Sequence, residues 1–128
     1  MSLRDSLTVM VVDDLSTSRA LITMALEEMG IKHIDYRKDG ASALSALAVK
    51  PCHLVISDYN MPGMDGLQLL KALRMNRSTQ KIGFILVSGR LDQQIVATGK
   101  ALAINNFIRK PFSTDQMRAC IQAVVGAI

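Results

Sequence analysis

Residues 54–66 read Leu-Val-Ile-Ser-Asp-Tyr-Asn-Met-Pro-Gly-Met-Asp-Gly: an apolar run, an aspartate, and then several turn-forming residues. An apolar run of this length, bounded by turn residues, predicts a buried strand over residues 53–57 with Asp58 at its tip. In α/β proteins, ligands bind beside the carboxyl ends of the strands. We therefore expect Asp58 to be presented at an edge of a sheet.

The rest of the chain repeats this pattern. Further strands are predicted over residues 8–12, 32–36, 83–87 and 107–109, and each strand is followed by a helical pattern. Ser16 or Thr17 is expected to cap the first helix, and Ser113 the last. The last helix carries an apolar stripe with helical spacing, formed by Met117, Ile121, Val124, Val125 and Ile128. Five alternating strands and helices predict an α/β fold with a parallel sheet covered on both faces.

Composition limits the class of protein. The 128 residues, 49% of them hydrophobic, suffice for one domain with a core. The net charge of +4 is spread along the chain, so we expect no nucleic-acid partner. No apolar run is long enough to span a membrane and the start lacks a signal-peptide core, which favours a cytoplasmic protein. Cys52 and Cys120 are interpreted as free buried thiols.

Polar side chains follow four of the predicted strands. Asp13 and Asp14 follow the first, Asp58 the third, Ser88 the fourth and Lys110 the fifth. Each has an ordinary explanation alone: the acidic pair as a helix N-cap, Ser88 as a cap, Lys110 as a solvated strand end. Because parallel strands end at one edge of a sheet, however, we expect all of them to converge there.

Three converging carboxylates repel one another and need a cation. Oxygen ligands without nearby His or Cys suit Mg²⁺. A carboxylate can also act as a nucleophile and form an aspartyl-phosphate. The metal, the Lys110 ammonium and the Ser88 hydroxyl would then neutralise the oxygens of the transferred phosphoryl group. These residue types together predict phosphoryl transfer to Asp58.

Four motifs, taken in order, resemble the response-regulator receiver domains of two-component signalling, of the stand-alone CheY-like kind. They are V-V-D-D (11–14), S-D-Y-N-M-P-G-M-D-G (57–66), V-S-G (87–89) and R-K-P-F (109–112), and the resemblance covers essentially the whole chain. It implies a flavodoxin-like (βα)5 three-layer sandwich with strand order 2-1-3-4-5. We expect residues 1–128 to be a single, monomeric receiver domain without an output domain.

The resemblance also implies the roles of the acidic residues. Asp58 would be the phosphoacceptor, and a phosphohistidine of a sensor histidine kinase would be the donor. Asp14, Asp58 and the backbone carbonyl of Asn60 would bind Mg²⁺, with Asp13 helping through water. The protein would be a signalling switch rather than an enzyme, with no chemistry beyond its own phosphotransfer and slow autodephosphorylation.

For the remaining site residues, the resemblance implies that Ser88 and Lys110 contact the phosphoryl group and that Phe107 is the aromatic switch residue. The switch would change the face made by the fourth of these five helices, the fifth strand and the last helix. That face would bind an effector, such as a flagellar motor or another signalling protein, with chemotaxis as the expected pathway. A phosphate sink that drains the kinase is the alternative output.

The sequence departs from the family at a few positions. The family usually has a glycine near Ala103 and an alanine near Ile104, so this turn is bulkier at the border of the expected output face. Phe107 stands where many members have tyrosine, and it has no hydroxyl to donate a hydrogen bond. Gly89 leaves the phosphoryl group open, whereas Arg90 would either hinder or orient an attacking water.

Two rival functions belong to other classes. One is a hydrolase with an aspartyl-phosphate intermediate, like the haloacid-dehalogenase phosphatases. Asp58-Tyr59-Asn60 is a D-x-N sequence, however, where such enzymes usually have D-x-D. The other is the receiver half of a DNA-binding regulator, which a gel shift with DNA would reveal.

Overall fold

Five strands and six helices make up the part of the chain that the structure, a computed structural model, describes: residues 3–127. The strands are β1 (Thr8–Val12), β2 (His33–Arg37), β3 (Leu54–Asp58), β4 (Gly83–Ser88) and β5 (Asn106–Arg109). The helices are α1 (Leu3–Ser6), α2 (Ser16–Glu28), α3 (Gly40–Val49), α4 (Gly66–Met75), α5 (Gln93–Ala101) and α6 (Thr114–Val125). The short turn α1 was not predicted; the other elements match the predicted alternation.

All four strand pairings are parallel, and the order in the sheet is β2-β1-β3-β4-β5. This confirms the predicted strand order. The register aligns Asp58 with Val87 and Ser88 with Arg109, so the carboxyl ends of the central strands lie side by side. The edge of the sheet expected to carry the site is therefore formed.

The sheet is covered on both faces, because its strands are apolar at successive positions and successive side chains point to opposite sides. On β1, Val9 and Val11 face one core together with α2 and α6. Met10 and Val12 face the other core together with α3, α4 and α5. The two cores and the sheet between them confirm the predicted three-layer α/β sandwich.

Four of the five long helices begin after a residue whose side chain caps them, and α2 is the exception. Asp39, Asp65, Asp92 and Ser113 each accept a hydrogen bond from a backbone N–H of the first turn of α3, α4, α5 and α6. The prediction for α2 was wrong: its N-cap is Leu15, and no side chain caps it. The helix begins at Ser16, so Ser16 and Thr17 lie inside its first turn and neither can be the N-cap.

The inward face of α4 and most of the predicted apolar stripe of α6 are buried. Leu69, Leu70 and Leu73 of α4 are completely buried, as are Met117 and Ile121 of α6. Val124 and Val125 pack against the same core. Ile128, the last member of that stripe, lies outside the described residues.

In two other helices, only some of the apolar residues at helical spacing are buried against the sheet. Ala43, rather than the exposed Ala48, is buried beside Leu47 in α3. In α2, Leu21 and Met24 are exposed, although they share helical spacing with buried residues. Apolar spacing alone does not fix which of two adjacent stripes meets the sheet. None of the helices in residues 3–127 has the length and apolar character of a membrane span.

Candidate functional site

Three carboxylates meet at the carboxyl edge of the sheet. Oxygens of Asp13, Asp14 and Asp58 all lie within 4.8 Å of one another. Asp13 is fully buried and Asp58 is only 4% exposed. Asp13 Oδ2 and Asp14 Oδ1 are buried and accept no hydrogen bond from any described residue. Buried charged oxygens without partners are costly, so this arrangement calls for a cation.

Lys110 brings positive charge to this cluster from the loop after β5. Its Nζ lies 2.8 Å from Asp58 Oδ1, in a salt bridge that is largely shielded from solvent on the aspartate side. The same Nζ donates to the Ser18 hydroxyl at 2.9 Å. The peptide bond between Lys110 and Pro111 is cis. The predicted approach of Lys110 to Asp58 is therefore present in the structure.

The protonation of Asp58 reflects opposing influences. Burial raises the pKa of Asp58 above its ordinary value, and the charge of Asp13 raises it further. The hydrogen bond and the charge of Lys110 lower it. Burial dominates, so the charged form of Asp58 is held at a cost unless further positive charge enters the site.

The donor set fits Mg²⁺. Hard carboxylate oxygens are the protein ligands that this ion prefers, and it is usually held by one or two carboxylates with several waters. The unpartnered oxygens of Asp13 and Asp14 face the same small space as Asp58. Asn60 is exposed in the loop directly after Asp58. Its carbonyl as a ligand stays a prediction.

The loop between β3 and α4 passes very close to the strand end. The Gly66 N–H donates to the Tyr59 carbonyl at 2.9 Å. A Cβ at position 66 would lie 2.5 Å from the Asp58 carbonyl oxygen and 2.6 Å from Leu86 Cδ1. Only glycine permits this approach, which fixes the start of α4 beside Asp58.

Ser88 is at the predicted strand end but its hydroxyl is engaged elsewhere. It is 4% exposed, donates to the Arg90 carbonyl at 2.7 Å and accepts from the Arg90 N–H at 3.1 Å. Its hydroxyl makes no hydrogen bond to Asp58 or Lys110, although its backbone carbonyl accepts one from the Lys110 N–H at 2.9 Å. The exposed Arg90 guanidinium lies 3.0 Å from Asp92 Oδ2, at the start of α5. The structure therefore places Ser88 next to the site without bringing its hydroxyl into it.

Phe107 lies on β5, on the side of the sheet that faces α5, where its half-buried ring joins the second core. A Cβ at Gly99 would lie 2.7 Å from Phe107 Cζ and 3.3 Å from Ile104 Cγ2. The ring therefore occupies the space that the missing side chain of Gly99 leaves open.

The turn before β5 is held by Arg74 of α4. Its guanidinium donates to the Leu102 and Ala103 carbonyls and to Asn105 Oδ1, at 3.1–3.2 Å. It also donates to the carbonyls of residues 80 and 82, at 3.0 and 2.7 Å. Ala103 has a φ of 58°, a left-handed conformation that favours glycine. Ala103, which stands where the family usually has a glycine, thus keeps a backbone conformation that is usual for glycine.

Several of these residues were not identified from the sequence. Ser18 lies 92 residues before Lys110 and belongs to no motif, so the sequence does not link the two residues. Arg74 and Gly99 are ordinary residues of amphipathic helices. The only available signal was the position of Ser18 in the turn that follows Asp13-Asp14, at the edge where the site was expected.

The structure also shows what the other polar groups of the sequence do. The acidic pair does not cap α2, whose N-cap is Leu15. His53 lies at the opposite end of the sheet, where its Nδ1 accepts from the Thr8 N–H at 3.0 Å. Cys52 and Cys120 are free, and burial raises the pKa of each thiol to about 11. His53 and the two cysteines lie outside the carboxylate cluster.

Comparisons with known proteins agree with this geometry. A probable chemotaxis protein CheY of Rhizobium etli is 41% identical over 128 residues, covering 100% of this chain and 99% of that protein. Chemotaxis protein CheY-3 of Vibrio cholerae is 27% identical over 116 residues, 91% of this chain and 89% of that protein. The crystallised chemotaxis protein CheY4 of Vibrio cholerae superimposes with a TM-score of 0.85 at 26% identity, covering 92% and 98% of the two chains.

The family model described as the response regulator receiver domain matches residues 9–122. The matched range contains every residue of the carboxylate cluster as well as Ser88, Phe107 and Lys110. Together with the 41% identical relative and the strand order, this match shows that the chain belongs to the family of response regulator receiver domains.

Proposed function

We propose that Asp58 accepts a phosphoryl group from a phosphohistidine of a sensor histidine kinase, with Mg²⁺ in the site, and that the product changes the binding of an effector. One observation carries this proposal: the Lys110 ammonium lies 2.8 Å from Asp58 within a cluster of three buried or half-buried carboxylates. Such a set of groups matches the charge that phosphoryl transfer requires.

In the transfer, an oxygen of Asp58 forms a bond to phosphorus while the bond between phosphorus and the donor imidazole nitrogen breaks. The electron pair of the broken bond remains on the imidazole, which leaves as a neutral ring after taking up a proton from solvent. Lys110 faces the same carboxylate and stabilises the charge on a phosphoryl oxygen. The protein supplies position and charge, and the energy of the transferred group comes from the donor.

Asp13, Asp14, Asp58 and the Asn60 carbonyl would hold Mg²⁺, with Asp13 acting through water. When bound, the ion supplies positive charge to the phosphoryl oxygens. The unpartnered oxygens of Asp13 and Asp14 support this assignment, because an ion would give them the partner that they lack.

The switch would then start at Ser88. Its hydroxyl leaves the Arg90 backbone and turns toward the phosphoryl group, which frees space for the Phe107 ring to turn in. The face formed by α5, β5 and α6 changes its shape as a result. Phosphorylation needs to favour one of two existing states by only a few kcal/mol, about 5 kcal/mol being enough for near-complete conversion.

Chemotaxis is the proposed pathway, because the relative in Rhizobium etli, which matches over essentially its full length, is named as a probable chemotaxis protein. The effector would be a flagellar motor or another signalling protein, bound by a single, monomeric receiver domain. A phosphate sink is the alternative output. The lifetime of the aspartyl-phosphate, with and without the kinase, distinguishes them: back-transfer to the kinase or a short lifetime indicates a sink.

A true hydrolase is no longer a competing function. Receiver domains are signalling switches whose own chemistry is limited to self-catalysed phosphotransfer, and the chain belongs to that family. The D-x-N sequence at Asp58 is consistent with this.

The test is covalent labelling by acetyl phosphate in the presence of Mg²⁺, followed by intact-mass and peptide analysis. Labelling should appear on Asp58 and be lost in Asp58→Asn. The matched control is Asp115→Asn, because that carboxylate is exposed on α6 and its removal should leave labelling unchanged. Undiminished labelling of Asp58→Asn, or labelling independent of Mg²⁺, would refute the assignment.

A further inference from the structure

We propose that Ser18 is a positioning residue that holds the Lys110 ammonium beside Asp58. This rests on the proposed function, since it concerns the same phosphoryl site. Lys110 Nζ bridges two acceptors: Asp58 Oδ1 at 2.8 Å and Ser18 Oγ at 2.9 Å. None of the four motifs that carry the family resemblance includes Ser18.

Ser18 is well placed for this task because the start of α2 is tied to the carboxylate cluster. The Leu15 N–H donates to Asp13 Oδ1 at 3.0 Å, and Arg19 Nη1 donates to the Asp13 carbonyl at 2.9 Å. These bonds lie on both sides of Ser18 in the chain. The hydroxyl therefore projects from a turn that is fixed relative to Asp13, whereas Lys110 reaches it across the edge of the sheet.

A lysine side chain needs such a partner. Its ammonium is carried on a flexible stem of four carbons, and ordering that stem costs rotamer entropy. Asp58 alone is an unsuitable anchor, because its charge and contacts change when it accepts a phosphoryl group. The Ser18 hydroxyl remains available before and after the transfer.

The chemistry of serine also suits this place. A neutral hydroxyl accepts a hydrogen bond from the ammonium without adding a fourth negative charge to the three carboxylates. An aspartate at position 18 would compete with Asp58 for Lys110. Serine positions the ammonium and leaves its charge available to the phosphoryl oxygens.

The first test compares initial rates of labelling by acetyl phosphate with Mg²⁺, which bypasses kinase docking. Ser18→Ala should slow labelling about three- to tenfold, as expected for one net hydrogen bond of an ammonium that is still partly exposed to solvent. Ser18→Thr, which keeps the hydroxyl, should restore most of the rate. Thr17→Ala is the matched control, because Thr17 is the exposed neighbour on the same turn, and it should be neutral. Equal rates for Ser18→Ala and the wild type would overturn the proposal.

The second test is a double-mutant cycle with Lys110→Ala. If Ser18 acts through Lys110, adding Ser18→Ala to Lys110→Ala should have no further effect on the labelling rate. A full additional loss in that background would show a merely structural role and overturn the proposal. Thermal unfolding of each variant checks that it is folded.

The third test needs neither metal nor phosphodonor. Acylation of the lysines by an amine-reactive ester, followed by peptide mass spectrometry, should show Lys110 about threefold more reactive in Ser18→Ala than in the wild type. Exposed Lys71 and Lys81 provide the internal reference. Unchanged Lys110 reactivity would overturn the inference. Absence of wild-type labelling at Asp58 would instead refute the proposed function, while this reactivity would still report the contact between Ser18 and Lys110.

Discussion

The Phe107 ring packs so closely on Gly99 that a Cβ there would lie 2.7 Å from its Cζ. Gly99→Ala should therefore push the ring from its present position. We expect a destabilisation of about 1–2 kcal/mol, because overpacking exceeds the gain in helix propensity. The ring signals of Phe107 in NMR spectra of the unphosphorylated variant should shift toward those of the phosphorylated wild type.

Phe107→Ala provides the control for this prediction. Once the ring is removed, the nearest remaining contact of a Cβ at position 99 is Ile104 Cγ2 at 3.3 Å, and Gly99→Ala should then stabilise the protein by up to about 1 kcal/mol, the usual gain from replacing a helical glycine. Chemical denaturation measures the effect of Gly99→Ala on the free energy of unfolding, both in the wild type and in Phe107→Ala. If Gly99→Ala has the same sign in each, the ring contact does not control this position.

Arg74 should stabilise the turn before β5 through its five hydrogen bonds to carbonyl and amide oxygens. Burial lowers the pKa of Arg74 from its ordinary value, but arginine stays charged at any physiological pH. Arg74→Ala should cost about 2 kcal/mol of unfolding free energy, since it removes charge-assisted bonds and leaves carbonyls unpaired. Hydrogen exchange should increase at the Ile104 and Asn105 amides.

Arg74→Lys is the matched comparison, because an ammonium keeps the charge but cannot span so many acceptors. It should recover less than half of the lost stability. Equal stability of the wild type and Arg74→Ala would contradict this role. A second comparison is Ala103→Gly, which relieves the left-handed backbone at φ 58° and should partly offset Arg74→Ala.

The raised pKa of Asp58 predicts how stability depends on pH without Mg²⁺. The folded protein keeps the Asp58 proton at pH values where the unfolded chain has lost it, so the folded state binds more protons there. Stability should therefore fall as the pH rises from the ordinary Asp value of 3.8 through the raised pKa, and then stay level. Asp58→Asn should remove this fall and raise Tm at neutral pH, by about 4 °C for each kcal/mol gained.

Thermal unfolding between pH 4 and pH 8, with Asp115→Asn as the exposed control, measures this effect. Addition of Mg²⁺ should raise Tm of the wild type more than that of Asp58→Asn, because the ion binds the folded carboxylate cluster. A lower Tm for Asp58→Asn than for the wild type at neutral pH, in the absence of Mg²⁺, would contradict the cost assigned to the buried carboxylate.

Much of the fold was predictable because it follows from short-range patterns. The apolar runs before Asp13, Asp58 and Ser88 identify strands to within one residue, and the turn-forming residues after them mark the ends. Parallel pairing then brings the strand ends together, whatever their separation in sequence. The carboxylate cluster and Lys110 were therefore expected before the structure was known.

The remaining features depend on contacts that no local pattern encodes. The side of α2 that meets the sheet, and so the exposure of Leu21 and Met24, depends on competition between neighbouring stripes of the helix. The Ser18–Lys110 bond depends on where two distant segments meet. Similarly, Ser88 was correctly placed at its strand end, but its hydrogen bonds with Arg90 depend on a rotamer that the loop selects.

β5 is a four-residue strand whose one partner within the sheet is β4. It carries Phe107 beside α5, and Lys110 follows it at the carboxylate cluster. A strand with neighbours on both sides must break two ladders of hydrogen bonds to shift, whereas a terminal strand breaks one. The sheet is therefore mechanically less stiff along β5, which connects the proposed phosphoryl site to the proposed effector face, than along its central strands, so a small displacement at Lys110 can be transmitted to Phe107 without disturbing those strands.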